Sequence, residues 1–192
     1  MAIENGTDHI ELGRKLAGLA QDWKRSGLPP GGELDSLARG LESWKKAKHI
    51  PGLWPSSPPG MVTATIDDGM GHGLQVIHQW SEVMGIRVSF LGLLKSAEEI
   101  IGECRRLRPR LLGMTVLQFD TETDLIRICS NLPGETRFVA GGPVFKGDPK
   151  LANRAGIHFV AKDLSDFLMF VLENYPRMVP NGKGGDRSLQ TG

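Results

Sequence analysis

The chain has 192 residues, 40% of them hydrophobic, and its 23 basic and 22 acidic residues leave a net charge of +1. Such a chain can form one ordinary hydrophobic core with room for an appendage, and its balanced charge disfavours binding to nucleic acid or anionic membranes through bulk attraction. The sequence contains no run of about 18 apolar residues, so it predicts no membrane span. Residues 1–6 lack the basic and apolar regions of a signal peptide. We therefore expect a cytoplasmic protein.

The first two predicted elements are amphipathic helices over residues 8–26 and 33–47, joined by a short loop rich in proline and glycine. Together they predict a helical hairpin within residues 1–49. Because a hairpin alone cannot bury its apolar stripes, we expect it to dock on the following domain or on a second copy of itself, as a homodimer. Its two tryptophans, Trp23 and Trp44, are expected to serve packing.

Residues 50–60 contain four prolines, which prevent a helix from running through them and predict a stiff, extended linker. The predicted α/β domain follows, over residues 61–175. The remaining residues, 176–192, end in a run of glycine, lysine, serine and glutamine that predicts a disordered tail.

Strand-like segments alternate with helical ones throughout the α/β domain. The five strands are predicted at residues 61–66, 86–91, 111–117, 137–140 and 157–160. Strands separated by helices predict a parallel sheet covered on both faces. Right-handed crossovers then favour a five-stranded doubly wound sheet of order 2-1-3-4-5, which is the Rossmann/flavodoxin-like arrangement.

Capping residues mark the starts of three of the helices. Ser96 and Glu99 have the spacing of a capping box. Asp120 or Thr121 is expected to cap the next helix, and the Asp-Pro pair at 148–149 suits the start of a short one.

Cys104 and Cys129 lie inside predicted elements and lack the spacing of a zinc site or a disulfide framework. They are predicted to be reduced thiols. The five histidines of the chain are also scattered, without the spacing of metal ligands.

The strongest binding signal is in residues 65–73, where a strand breaks into three glycines within five residues and then becomes a helix. Glycine lets a ligand approach the backbone, and a helix start offers free N–H groups, although a plain strand-to-helix turn has the same pattern. In an open α/β sheet, ligands bind beyond the carboxyl ends of the strands, where the strand order reverses. The loops at 118–120 and 141–143 are predicted to meet this stretch there, which favours a ligand site.

Residues 60–174 resemble the cobalamin-binding domain of corrinoid-dependent methyltransferases and mutases. That family carries D-x-H-x-x-G after its first strand, S-x-L at its third strand and G-G after its fourth. The corresponding places here hold Asp68-Gly69-Met70-Gly71-His72-Gly73, Thr115-Val116-Leu117 and Gly141-Gly142. The helical segment before a proline-rich linker is also similar to the family, although two helices make a shorter cap than is usual in the methyltransferases.

The resemblance implies that a corrinoid ring lies over the carboxyl edge of the sheet, with its nucleotide tail in a slot beside the first strand. Thr115 would then offer a hydroxyl in place of the family's serine, and Leu117 would line the tail. The glycines would let the tail pass close to backbone. The implied cofactor-binding residues are Asp68, Gly69, Met70, His72, Gly73, Thr115, Leu117, Gly141 and Gly142.

Met70 departs from the family pattern, because that position holds the histidine that ligates cobalt from below. Asp68, which would polarise that histidine, loses its partner, and a neutral thioether is a weaker donor to an oxidised metal than imidazole. His72 would substitute if the loop were reshaped; otherwise it is a solvated loop residue. We therefore predict a corrinoid held base-off, without a histidine lower ligand, and assign no metal-ligating residue.

Three functions remain as alternatives. The first is a corrinoid carrier, methyl-transfer subunit or sensor, with any catalysis supplied by a partner methyltransferase or activating protein. The second is a degenerate corrinoid fold that has lost its cofactor and serves as a regulatory or interaction module. The third is a phosphorylation receiver, suggested by Asp67, Asp68 and Lys162, but Gln118 stands where the phosphoacceptor aspartate should end the third strand.

Overall fold

The computed structural model describes residues 5–67 and 72–174, with a five-stranded sheet at the centre. The strands are β1 (Gly60–Ala64), β2 (Arg87–Gly92), β3 (Leu111–Thr115), β4 (Arg137–Gly141) and β5 (Phe159–Val160). All neighbouring strands are parallel, and their order is β2-β1-β3-β4-β5. The predicted doubly wound α/β sheet is therefore confirmed. The predicted tail, residues 176–192, lies outside the described residues.

Helices cover both faces of this sheet. They are α1 (Asn5–Ser26), α2 (Gly31–Lys48), α3 (His72–Met84), α4 (Ala97–Leu107), α5 (Glu122–Asn131), α6 (Val144–Gly147), α7 (Leu151–Ala155) and α8 (Leu164–Asn174). A short 3-10 turn, Phe119–Thr121, precedes α5. Within the described part of the chain, none of the helices has the length and apolar character needed to cross a membrane.

Two apolar clusters, one on each face of the sheet, follow from the alternation of side chains along the strands. Met61 of β1 belongs to the cluster that contains Trp80 of α3 and Phe167 of α8. The next residue, Val62, points to the opposite cluster, which contains Ile100 of α4. Burial on both faces explains why the inner strands β1, β3 and β4 are largely apolar, whereas the edge strand β2 is more exposed.

The N-terminal helices dock on the first of these faces, and their apolar stripes join its cluster. Helix α1 packs against α8, and α2 packs against α3. The rings of Trp23 and Trp80 meet edge to face, with centroids 5.1 Å apart. Lys45 is only 4% exposed, and its ammonium donates to the Glu42 carboxylate at 2.7 Å and to the Glu82 carbonyl oxygen at 2.9 Å. A homodimer stays a prediction.

The proline-rich segment after α2 is packed against the rest of the molecule instead of standing free. Leu53 and Trp54 are buried, and the Leu53 N–H donates to the Met84 carbonyl oxygen at 2.8 Å. Gly52 and Gly85 both have positive φ, and a Cβ on Gly52 would lie 2.5 Å from the Gly85 Cα. Because neither Gly52 nor Gly85 has a side chain, the backbone of the proline-rich segment can lie directly against the backbone that follows α3.

The capping box at the start of α4 is confirmed. The Ser96 hydroxyl accepts from the Glu99 N–H at 3.2 Å, and the Glu99 carboxylate accepts from the Ser96 N–H at 2.9 Å. This backbone hydrogen bond is the main reason that the pKa of Glu99 is lowered. At the start of α5, Thr121 is the N-cap, but its hydroxyl donates to the Gln118 carbonyl oxygen instead of capping the helix.

The prediction that a helix starts at residues 148–149 is wrong. A one-turn helix, α6, precedes this pair, and α7 begins only at Leu151. The Asp148 carboxylate accepts from the Lys150 N–H at 3.1 Å and pairs with Arg154 at 2.7 Å. Asp148 therefore stabilises the turn before α7, which displaces the helix start along the chain.

Strand β5 is shorter than predicted, because a side chain replaces part of its hydrogen bonding. The Phe138 N–H of β4 donates to Nδ1 of His158 at 3.0 Å, just before β5 begins. Burial, together with nearby Arg137, lowers the pKa of His158. The neutral ring is the form that has an acceptor nitrogen for this bond.

Candidate functional site

The end of β1 is tied to the loop after β2. The Thr65 N–H donates to the Gly92 carbonyl oxygen at 3.1 Å, and the Lys95 N–H donates back to the Thr65 carbonyl oxygen at 2.8 Å. The Thr65 hydroxyl donates to the carbonyl oxygen of Asp67 at 2.7 Å. These bonds fix the backbone up to the point where the glycine-rich stretch begins.

Asp67 ties the same loop to the end of β3. Asp67 is only 1% exposed. Its Oδ2 accepts from the Leu117 N–H at 2.6 Å and from the Gln118 N–H at 3.4 Å. Backbone N–H donors compensate the loss of hydration of a buried carboxylate. This role was not predicted from the sequence. The available signal was an aspartate shortly after β1, at the edge of the sheet where the strand order reverses.

The structure separates the predicted binding residues into three groups. Asp68, Gly69 and Met70 lie outside the described residues. His72 is the first residue of α3, and its side chain is also outside the description. The remaining predicted residues, Gly73, Thr115, Leu117, Gly141 and Gly142, are described.

Four of those five residues line one cavity of about 300 Å³: Gly73, Thr115, Gly141 and Gly142. We call this cavity the slot. It lies between the carboxyl halves of β3 and β4, Met61 near the start of β1, and the helices α3 and α8. Leu117 does not line the slot; it follows β3, where its N–H meets Asp67.

The glycines let the loops around the slot approach one another. Gly142 has a φ of 120°, and a Cβ there would lie 2.1 Å from the Val116 carbonyl oxygen. A Cβ on Gly141 would lie 3.1 Å from the Ala161 carbonyl oxygen, and one on Gly73 would lie 3.4 Å from the Thr115 hydroxyl. The chain after β4 therefore approaches the chain after β3 and after β5 more closely than side chains at Gly142 and Gly141 would allow, whereas a Cβ on Gly73 would make only an ordinary contact.

The slot has apolar walls and a small number of polar groups. Its apolar lining includes Leu74, Ile77, Val139 and Phe167, and its polar lining includes Thr115, Lys162 and Asp163. Such a composition suits a mainly apolar ligand that carries a few polar groups.

The chain matches no protein-family model and no curated protein. Among solved structures, a cobalamin-binding protein from Desulfitobacterium hafniense DCB-2 is similar, with a TM-score of 0.72 at 16% identity over 88% of this chain and 84% of that one. The chain has the fold of a cobalamin-binding protein.

Two further structures share this corrinoid-protein fold. The monomethylamine corrinoid protein of Methanosarcina barkeri has a TM-score of 0.55 at 14% identity, over 84% of this chain and 79% of that one. A chain of the methanol:cobalamin methyltransferase complex from the same organism has a TM-score of 0.57 at 19% identity, over 91% of this chain and 70% of that one. The resemblance inferred from the sequence motifs is confirmed at the level of fold.

One histidine and both cysteines have pKa values that burial shifts. Nε2 of His78 lies 2.7 Å from the Thr63 hydroxyl, and burial lowers the pKa of this histidine. Burial also raises the pKa of Cys104 to about 12 and that of Cys129 to about 11; both cysteines are free thiols. Across residues 5–67 and 72–174, no group of three or more His, Cys, Asp or Glu side chains could hold a metal ion.

Proposed function

We propose that this chain binds a corrinoid, the class of cofactor that includes cobalamin, and holds its nucleotide tail in the slot. The observation that carries the proposal is the meeting of Gly73, Thr115, Gly141 and Gly142 around one apolar cavity. These residues come from distant parts of the sequence, and the sheet brings them to one edge. The similarity to proteins described as cobalamin-binding or corrinoid proteins supports the same conclusion.

The slot fits a nucleotide tail in size and in chemistry. A volume of about 300 Å³ is at the lower end of the range for small-molecule pockets, so the slot suits the tail and not the wider corrin ring. Its apolar walls suit a flat base. The Thr115 hydroxyl can hydrogen-bond a polar atom of the tail, and the Lys162 ammonium can neutralise a phosphate.

The cofactor is proposed to be held base-off, since a base inside the slot is kept away from the metal. Met70 stands where the related motif has its ligating histidine, so we propose that the protein supplies no imidazole from that position. Asp67 anchors the chain just before this motif, because its carboxylate accepts the Leu117 N–H and so fixes the backbone immediately before residue 68. When bound, the corrinoid supplies the cobalt centre that carries a methyl group.

The chain's own role is then to hold and present the cofactor as a carrier, a methyl-transfer subunit or a sensor. We propose that any catalytic step is performed by a partner methyltransferase or activating protein. The similarity to a chain of a methanol:cobalamin methyltransferase complex supports a partner of this kind.

Reconstitution with hydroxocobalamin tests the proposal. After gel filtration, the protein fraction should retain the corrinoid and show a base-off absorption spectrum. Gly73→Leu should abolish retention, because the new side chain enters the slot. Gly102→Leu is the matched control: Gly102 is also in a helix, a Cβ there meets nothing within 4 Å, and retention should be unchanged.

Met70→His tests the position of the missing ligand. If Met70 occupies the place of the related histidine, the variant should shift the spectrum of bound corrinoid toward that of an imidazole-ligated cobalt. The absence of a shift would show that residue 70 does not face the metal. A wild-type protein that stays colourless after gel filtration overturns the corrinoid proposal. It favours the second candidate, an interaction module that has lost its cofactor. The presence of Met70 in place of the ligating histidine is the observation that suggests this candidate.

A further inference from the structure

One wall of the slot comes from the N-terminal hairpin. Leu28, in the turn between α1 and α2, and Leu34, in the first part of α2, both line the slot, whereas its other lining residues belong to the α/β domain. Leu34 is 6% exposed, but Leu28 is 38% exposed. Leu28 therefore presents apolar surface that a ligand in the slot can cover.

The turn that carries Leu28 is fixed at both ends. Gly27 closes α1, since its N–H donates to the Trp23 carbonyl oxygen at 2.8 Å. The Pro30 carbonyl oxygen accepts from the Leu34 N–H at 3.1 Å at the start of α2. The side chain of Trp23 is held against Trp80. Leu28 is consequently positioned by the docking of both helices.

The polar groups that line the slot come from the carboxyl edge of the sheet and not from the hairpin. The hairpin contributes the aliphatic residues Leu28 and Leu34, while the polar lining residues Thr115 and Lys162 lie at the end of β3 and after β5. A nucleotide tail has the same division, with a flat base at one end and a ribose and phosphodiester toward the ring. An apolar base matches the hairpin side, because burying unpaired ring nitrogens there would cost free energy.

We propose that the α1–α2 turn recognises the lower base of the corrinoid, so that the protein selects complete corrinoids with an apolar base such as dimethylbenzimidazole. This inference rests on the proposed function. The hairpin is then part of the binding site for the tail, and Leu28 is a specificity-determining residue. Corrinoids that lack the nucleotide, or that carry a purine as the lower base, bind more weakly.

Affinity measurements by spectral titration test this selection. Wild-type protein is titrated with aquacobalamin, with diaquacobinamide, which lacks the nucleotide, and with an adenine-containing cobamide. Aquacobalamin should bind most tightly. Leu28→Ser should weaken aquacobalamin binding about tenfold, the effect of losing roughly half of a buried leucine side chain, and should leave diaquacobinamide binding unchanged.

Leu107→Ser is the matched control, because Leu107 is also 38% exposed but ends α4, away from the slot. It should alter none of the three affinities. Leu28→Ala serves as a second, milder variant, and circular dichroism checks that each variant is folded. Equal wild-type affinity for all three corrinoids, or equal weakening of all three by Leu28→Ser, would overturn the role of the turn. A wild-type protein that binds none of them would instead refute the proposed function.

Discussion

Asp67→Ala should destabilise the protein through the loop that joins β1 to the rest of the site. The carboxylate is buried and accepts the Leu117 N–H at 2.6 Å, and hydrogen bonds to charged groups contribute roughly 1.5–3 kcal/mol. The Gln118 N–H bond is longer, at 3.4 Å, and Gln118 is exposed, so water can replace it. We therefore expect a loss of about 2–3 kcal/mol in the free energy of unfolding.

Urea unfolding followed by circular dichroism measures this loss. With an m-value of about 2 kcal/mol/M, the midpoint should fall by about 1–1.5 M. Asp67→Asn should lie between wild type and Asp67→Ala, because its amide oxygen can still accept one N–H. Asp120→Ala is the control, since Asp120 is exposed and its loss should change stability by less than about 0.5 kcal/mol. If Asp67→Ala is no more harmful than the control, the carboxylate does not hold these loops together.

Three further predictions concern stability. Gly142→Ala should cost about 3 kcal/mol, because φ is 120° and the Cβ would lie 2.1 Å from a carbonyl oxygen; Gly134→Ala, where a Cβ meets nothing within 4 Å, should be neutral in the same urea assay. Trp23→Ala should lower the free energy of unfolding by about 3 kcal/mol, measured by thermal or urea unfolding, and Trp44→Ala should lower it less, since only Trp23 of the two is buried. Similar losses for the two variants would contradict the docking of α1 through Trp23. Because the pKa of His158 is lowered in the folded state, its contribution to stability is present above about pH 6.5 and is lost as the pH falls through the folded pKa. His158→Ala should therefore show a smaller loss of stability between pH 7 and pH 5 than wild type, and an unchanged slope would refute this.

The order of the sheet was predictable because it depends on features that are local in sequence. Apolar runs of strand length, separated by amphipathic segments, leave few topologies once crossovers are right-handed. The capping box of Ser96 and Glu99 was predictable for the same reason, since both partners lie within one helical turn. Thr115 and Gly141 could be placed at one edge because each ends its strand.

Features that depend on distant partners were not predictable in this way. Strand β3 was predicted to continue to Leu117, but the N–H of that residue bonds to a carboxylate fifty positions earlier in the chain. β5 was shortened by the ring of His158, which bonds across to β4. The contribution of Leu28 to the slot depends on which face of the sheet the hairpin covers, and the apolar stripe of an amphipathic helix does not identify its partner.

The pairing of α1 with α8 has a consequence during synthesis. These helices lie near opposite ends of the described chain, and the ion pair between Lys24 and Asp166 joins residues 142 positions apart. At about 5–20 residues per second, the ribosome needs on the order of 10 s to make the intervening chain. For that time the part of α1 that faces α8 lacks its native partner, although α2 and Trp80 of α3 are already available to cover the rest of its apolar stripe.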